Sequence, residues 1–265
     1  MNSNVPSVAA SKPFRLIVGP NQREFAIHTA IFAKQSRCLE RLVNGLMKEA
    51  TEGKATWESV DEDTFVRFWQ FAYTGDYEVW DEPSGQIAAG SVAQVEEPPS
   101  EPEPEPEPEP RSLFGNSFHT VQRNVSPPIK KETLSTRFVA LGETSHKPNL
   151  GHLAGSDGKH LLNHAKVFVF ADCYEITLLI ELSYNKLHQT LSKLVLRSEA
   201  SKAAVVALAQ YCLETDVPDR LKELVVLFVA CKFERLLENE RFGELLDAHG
   251  NFGRNILELS QSRLE

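Results

Sequence analysis

Proline alternates with glutamate over ten residues near the middle of the chain, as EPEPEPEPEP at 101–110. Proline has no backbone N–H to donate, so the repeat is incompatible with helices and β-ladders, and the repelling glutamates favour an extended chain. The surrounding residues are also rich in Pro, Gly, Ser and Glu. We therefore predict a disordered insertion at 81–160 and a disordered tail at 1–12, with the remaining residues forming the folded part.

The segment before the insertion has the pattern of a small sheet followed by helices. Apolar runs at 14–18 and 23–27 flank the turn residues Gly19-Pro20-Asn21-Gln22 and predict a pair of strands, and a third strand is expected at Lys54–Val60. Ser36 is a suitable N-cap for a helix between them. The apolar residues of this predicted helix recur at spacings of three and four: Leu39, Leu42, Val43 and Leu46.

A helix from Asp61 to Tyr73 is the clearest local pattern in the chain. Asp61 is a suitable N-cap, and the Gly of Thr74-Gly75 can adopt the left-handed conformation that ends a helix. An aromatic face of this kind is compatible with a cofactor site, but core packing is the more common use. We therefore interpret its four apolar residues as core: Phe65, Phe68, Trp69 and Ala72.

Helical patterns return after the insertion and continue to the end of the chain, so the predicted fold class is α+β. The predicted helices begin near Leu161, at Thr177, at Ala203, after Asp216-Val217-Pro218, at Glu240 and at Phe252. Thr177 opens a helix expected to end at Leu187, and the helix after Pro218 carries a continuous apolar stripe: Leu221, Leu224, Val225, Phe228 and Val229.

Charge and cysteine usage favour an intracellular protein in the cytoplasm, the nucleus or both. The net charge of −9 argues against nonspecific binding to nucleic acid or an anionic membrane. No apolar run has the length of a membrane span, and the N-terminus lacks a signal-peptide pattern. Four widely spaced cysteines lie in apolar segments, which predicts buried, reduced thiols: Cys38, Cys173, Cys212 and Cys231.

The sequence contains none of the common catalytic motifs, so we do not expect an enzyme or a cofactor. There is no G-x-S-x-G elbow, no phosphate-binding P-loop and no G-x-G-x-x-G. His160 and His164 have the i, i+4 spacing of zinc ligands, with His152 upstream, but no acidic or cysteine ligand accompanies them. We therefore expect no metal site.

Several short motifs resemble those of the BTB (POZ) domain family in its fungal form. Phe25-Ala26-Ile27-His28, at the end of the second predicted strand, and Ser36 beyond it resemble the family pattern, and Met47-Lys48-Glu49 precedes the third predicted strand as in that family. The stretch FWQFAYTGDY, from Phe68 to Tyr77, resembles the family's helix ending. Residues 164–187 are similar to its closing helical pair. The motif residues are Phe25, His28, Ser36, Phe65, Phe68, Tyr73, Gly75 and Tyr77.

The resemblance implies a small sheet packed on a helical cluster and a function in protein–protein contact. It implies a discontinuous BTB domain at 13–80 and 161–190, followed by an all-α C-terminal region at 191–265. Many family members recruit substrates to a ubiquitin ligase by binding cullin-3, and Met47 and Glu49 match the residues that contact the cullin. The alternative is a self-associating scaffold or a transcription-associated regulator without ligase coupling.

The chain departs from the family pattern at positions that matter for these alternatives. Residues 1–12 lack the upstream dimerisation helix of many members, although homo-oligomer formation remains open. Pro13 and Thr29 stand where transcriptional members often have an acidic and a basic residue, which weakens the expectation of a corepressor pocket. No DNA-reading element is recognisable.

Overall fold

The computed structural model describes residue 8 and residues 10–79, 133–142, 158 and 160–261. Most of the predicted tail at 1–12 and most of the predicted insertion at 81–160 lie outside these described residues. The described residues all belong to one unit of the chain. They form a mixed α/β structure with a small sheet and a larger number of helices.

A three-stranded sheet with the order β2-β1-β3 forms one side of this unit. β1 (Pro13–Val18) pairs antiparallel with β2 (Arg23–His28) and parallel with β3 (Lys54–Trp57). Alternate residues of β1, namely Phe14, Leu16 and Val18, are buried, as expected for a strand with one face on a core. The third strand is shorter than the predicted Lys54–Val60, because the Val60 N–H bonds back to the Trp57 carbonyl in a turn.

Three short helices connect β2 to β3 and provide the crossover that parallel strands require. They are α1 (Thr29–Ala33), α2 (Arg37–Asn44) and α3 (Lys48–Glu52). Ser36 caps α2 as predicted, with its hydroxyl accepting the Leu39 N–H at 3.1 Å. Leu39 and Val43 are buried, but α2 ends before the predicted stripe reaches Leu46. α3 was not predicted.

The helix α4 (Glu62–Thr74) has both of the predicted ends. The Asp61 carboxylate accepts the Thr64 N–H at 3.2 Å, and Gly75 takes a left-handed conformation with φ +81°. Phe65 and Phe68 are fully buried, which confirms the prediction for these two residues. Trp69 is 38% exposed, so its assignment to the core is wrong.

Helices form the rest of the described chain. α6 (Leu161–Cys173) and α7 (Thr177–Lys193) follow the predicted pair, and α7 continues past both the predicted end at Leu187 and the predicted domain boundary at 190. Then come α8 (Glu199–Glu214), α9 (Asp219–Leu236), α10 (Glu240–Ala248) and α11 (Gly250–Gln261). Among the described residues, no helix combines the length and apolar character needed to cross a membrane.

One helix lies within the segment predicted to be a disordered insertion. α5 (Leu134–Ala140) is capped by Thr133, whose hydroxyl accepts the Thr136 N–H at 3.2 Å. Leu134 and Phe138 are buried against the C-terminal helices. The prediction of disorder at 81–160 is therefore wrong for 134–140, because two apolar residues four apart give this short helix a face to bury.

The buried apolar residues form two clusters that meet at α6. Leu161, Ala165 and Phe168 face the cluster formed by α5 and the C-terminal helices, which includes the predicted stripe of α9. Val167 and Phe170, on the other side of α6, face the cluster formed by the sheet and α4. A helix that is apolar on two faces is buried between two layers. α6 therefore joins the sheet to the helical region.

Aromatic rings join the sheet to residues that follow the insertion. Trp57 of β3 stacks on Tyr174 with ring centroids 4.5 Å apart, and Phe68 of α4 lies 5.1 Å from Phe170 of α6. Aromatic pairs at these separations stabilise a fold by about 0.5–1.5 kcal/mol beyond the contribution of their buried apolar area. The segment before the insertion therefore depends on the helices after it to complete its core.

The cysteines differ from the prediction in two of four cases. None of the four forms a disulfide bond, and Cys212 is buried while Cys231 is half-buried. Cys38 lies in the first turn of α2 and Cys173 at the end of α6, and both are exposed. An apolar segment does not bury every residue of a surface helix, because only one face contacts the core.

Candidate protein-binding site

The turn between α2 and α3 exposes two adjacent large apolar side chains. Leu46 is fully exposed, with a relative accessibility of 105%, and Met47 is 65% exposed. α2 ends at Asn44, and its C-cap Gly45 has an extended backbone conformation, so Leu46 lies outside the helix. Leu46 and Met47, together with Glu49, are called the exposed turn below. The exposure of Leu46 was not predicted from the sequence. Gly45 could have indicated it, because a glycine at this position is a common end of a helix.

Met47 occupies the N-cap position of α3 without a side-chain capping bond. N-caps are normally Ser, Thr, Asp or Asn, whose oxygen accepts a backbone N–H of the first turn. A thioether does not replace that oxygen effectively. Since Met47 also contributes little to the core, neither capping nor burial accounts for an apolar residue here, which favours a role in contact with a partner.

Glu49 is half-buried in the first turn of α3, where the helix dipole favours a carboxylate. The lysines nearby are paired with a different residue, because Lys48 and Lys54 each lie 3.5 Å from the Glu52 carboxylate. Within the described part of the chain, no ion pair includes Glu49. Its carboxylate is therefore able to accept hydrogen bonds from another molecule.

The backbone beneath the exposed turn is held by the sheet. Gly53 ends α3 in a left-handed conformation with φ +64°, and its N–H bonds to the Glu49 carbonyl. The Gly53 carbonyl in turn accepts the Arg15 N–H of β1 at 2.9 Å. α3 and its preceding residue are thus fixed relative to the sheet, which limits the conformational entropy lost when a partner binds.

His28 and Tyr73 of the motif form a second group, which joins α4 to the edge strand β2. The Tyr73 hydroxyl accepts the His28 backbone N–H at 3.1 Å and lies 2.8 Å from its Nδ1. The indole N–H of Trp69 donates to the Ala26 carbonyl at 3.0 Å. Side chains of α4 thereby satisfy two backbone groups of an edge strand that would otherwise be open to pairing.

Tyr77 forms a third group, at the point where the chain leaves the sheet-side cluster. Its ring is fully buried and its hydroxyl lies 2.8 Å from Nδ1 of His164 on α6. The Lys186 ammonium donates to the Tyr77 carbonyl at 2.7 Å and pairs with Asp76 at 2.7 Å. These contacts tie the residues that precede the insertion to α6 and α7.

Burial determines the ionisation of this third group. Desolvation, with the nearby Lys186 charge as the next cause, lowers the pKa of His164 to about 3. Desolvation also raises the pKa of Tyr77 well above its usual value. Near neutral pH both side chains are therefore uncharged, and Nε2 of His164 is buried with no hydrogen-bond partner among the described residues.

The remaining motif residues either pack against other aromatic rings or cap helices. Phe25 is half-buried with its ring centroid 4.7 Å from that of Phe65, which is 5.7 Å from Phe68. Ser36 caps the start of α2, and Gly75 caps the end of α4, as described above. Most motif residues thus have structural positions, whereas Met47 is exposed and Glu49 is half-buried beside it. In the part of the chain that the structure describes, no three His, Cys, Asp or Glu residues are grouped to hold a metal ion.

Comparisons with known proteins add no family assignment. No protein-family model matches the chain, and no curated protein matches it. The resemblance to BTB domains therefore depends on the motif residues alone and remains a prediction.

Proposed function

We propose that this chain is a BTB-type protein-interaction module that binds cullin-3 through the exposed turn and acts as a substrate adaptor for a ubiquitin ligase. The observation that carries the proposal is the exposure of Leu46 and Met47 side by side. Met47 directly precedes α3, and Gly53 at the other end of α3 is hydrogen-bonded to β1. Glu49 supplies a carboxylate next to them.

The chemistry of the exposed turn fits a partner with an apolar groove and a nearby donor. Full burial of a Leu or Met side chain is worth about 1.5–3 kcal/mol, so two of them can supply a substantial part of a micromolar affinity. A flexible thioether adapts to an irregular apolar groove. Glu49 can accept hydrogen bonds from the partner's N–H groups or pair with a cation.

The architecture also supports the proposal. The resemblance implies a small sheet packed on a helical cluster, and the sheet with α4, α6 and α7 has that general arrangement. Most motif residues take structural positions, which is compatible with a binding surface at the turn rather than within the core. The BTB fold itself remains part of the proposal.

A direct titration of the purified protein with cullin-3 tests this function. We expect the double substitution Met47→Ala with Glu49→Ala to weaken binding at least tenfold, or by about 1.4 kcal/mol, because it removes the apolar anchor and the acceptor together. Leu257→Ala is a matched control, since Leu257 is an apolar side chain of α11 with 52% exposure. The control should bind like the unsubstituted protein.

Two outcomes would contradict the proposal in different ways. Equal cullin affinity in the double variant and the control would show that the exposed turn is not the contact. Absence of cullin binding, combined with a stable oligomer in sedimentation, would favour the self-associating scaffold, in which a second copy covers Leu46 and Met47.

A further inference from the structure

The helix α5 is a short segment held against two longer helices by a small number of contacts. It has seven residues, and isolated helices shorter than about 12–15 residues are marginal in water. Its only buried side chains are those of Leu134 and Phe138, which lie four residues apart on one face. The helical conformation of α5 therefore depends on the surface that receives these two residues.

The part of that surface that receives Phe138 is formed by His188 of α7 and Phe228 of α9, and we call the whole surface the α5 groove. The Phe138 ring stacks on the His188 ring at 4.7 Å and lies 5.4 Å from the Phe228 ring. His188 is buried, and its Nε2 donates to the Phe138 carbonyl at 2.8 Å. The groove thus contacts one aromatic side chain and one backbone oxygen of the bound helix.

The opposite face of α5 contributes little to this contact. Ser135 and Thr136 are exposed, and Val139 is 55% exposed. The contact is therefore selective for an apolar residue at one position and an aromatic residue four positions later, and tolerant elsewhere. This is the pattern by which grooves recognise amphipathic helices in protein–protein complexes, with anchors at i and i+4.

We infer that the α5 groove is a binding site for a partner's amphipathic helix with apolar and aromatic anchors at i and i+4, and that α5 occupies this site in cis. A partner helix of this kind places its aromatic ring against His188 and Phe228 and replaces α5. Its apparent affinity equals its affinity for the open groove multiplied by the fraction of molecules in which α5 is detached. The site is independent of the exposed turn and of cullin binding.

Binding of a peptide in trans tests the inference on the full-length protein. The probe is a fluorescently labelled peptide of residues 132–142, added to the unsubstituted protein and to the Phe138→Ala and Val139→Ala variants. Phe138→Ala removes the anchor of α5 and should open the groove, so the peptide should bind this variant at least tenfold more tightly. Val139→Ala changes the exposed face of the same helix and should behave like the unsubstituted protein.

A peptide that itself carries Phe138→Ala should bind none of the three proteins. Equal peptide affinity for all three proteins, or no binding to a folded Phe138→Ala variant, would overturn the inference.

Hydrogen exchange of the unsubstituted protein provides a second test, which does not require the variant to fold. The α5 amides should exchange faster than those of α9, because α5 detaches without unfolding the helices beneath it. An excess of the unlabelled peptide should accelerate exchange in α5 and leave exchange in α4 unchanged. Exchange in α5 as slow as in α9, and insensitive to the peptide, would overturn the inference.

Discussion

Replacement of His164 by Asn should remove a large part of the pH dependence of stability. His164 is almost completely buried, and its pKa is lowered to about 3, by desolvation first and by the Lys186 charge second. Protonation would put a second charge beside Lys186 and give the ring an additional N–H, while Nε2 already lacks a partner among the described residues. The folded protein therefore resists protonation of this histidine, whereas the unfolded chain does not.

The sign and size of the effect follow from these two pKa values. Because the folded pKa of about 3 is below the unfolded value of 6.5, the unfolded chain binds more protons as the pH falls, and stability falls with it. The contribution of His164 is fully present above about pH 6.5 and is lost progressively toward pH 3. Between pH 8 and pH 5 the calculated loss is about 2 kcal/mol.

Urea denaturation at pH 8 and pH 5, followed by circular dichroism, measures this difference. From pH 8 to pH 5, the free energy of unfolding should fall by about 2 kcal/mol more in the unsubstituted protein than in the His164→Asn variant. An asparagine oxygen can accept the Tyr77 hydroxyl proton and does not titrate. The other histidines are present in both proteins, so their contributions cancel. An equal loss of stability in the two proteins would refute the reasoning.

Three further substitutions test individual contacts by the same denaturation assay at pH 8. Tyr73→Phe removes the hydroxyl that contacts His28 twice and should cost about 1–2 kcal/mol; no change would mean that water replaces the hydroxyl. Gly75→Ala should cost about 1 kcal/mol because φ is +81°, although a Cβ there meets nothing within 4 Å. Lys186→Met should cost about 2 kcal/mol, since it leaves Asp76 without its partner, and a neutral result would exclude that role.

The predictable parts of the fold were those determined by neighbouring residues. Ser36, Asp61 and Gly75 were assigned from local chemistry; Ser36 and Asp61 cap the starts of helices and Gly75 caps the end of one, as predicted. The buried stripe of α9 followed from its spacing of apolar residues. A cap or an amphipathic face needs only a few adjacent residues to define it, so the sequence alone is sufficient.

The incorrect predictions concern residues whose environment is set from a distance. Trp69 continues the spacing of Phe65 and Phe68, but it lies beside the edge strand β2. There its indole N–H donates a hydrogen bond to the Ala26 carbonyl. α5 was missed because the composition of 81–160 is that of a disordered segment, and its anchor points on α7 and α9 come later in the chain. Tertiary contacts of this kind have no local signal.

The candidate site was predictable in part. Met47 and Glu49 were identified through the family resemblance, and their exposure and pairing could be judged only with the neighbouring residues in place. Leu46 was assigned to the buried stripe of α2 because its spacing is correct, yet Gly45 ends the helix before it. One residue beyond a helix end is enough to turn an apolar side chain from the core to the surface.

The proposed function requires that Met47 contacts cullin-3, and the chain has only two methionines, Met1 and Met47. Methionine labelled with ¹³C at the methyl group therefore gives two signals in an NMR titration with cullin-3, and the signal lost in Met47→Ala is that of Met47. The proposed function predicts that the Met47 signal shifts or broadens in proportion to bound cullin, while the Met1 signal stays constant. Saturable cullin binding with an unchanged Met47 signal, or no binding, would contradict it.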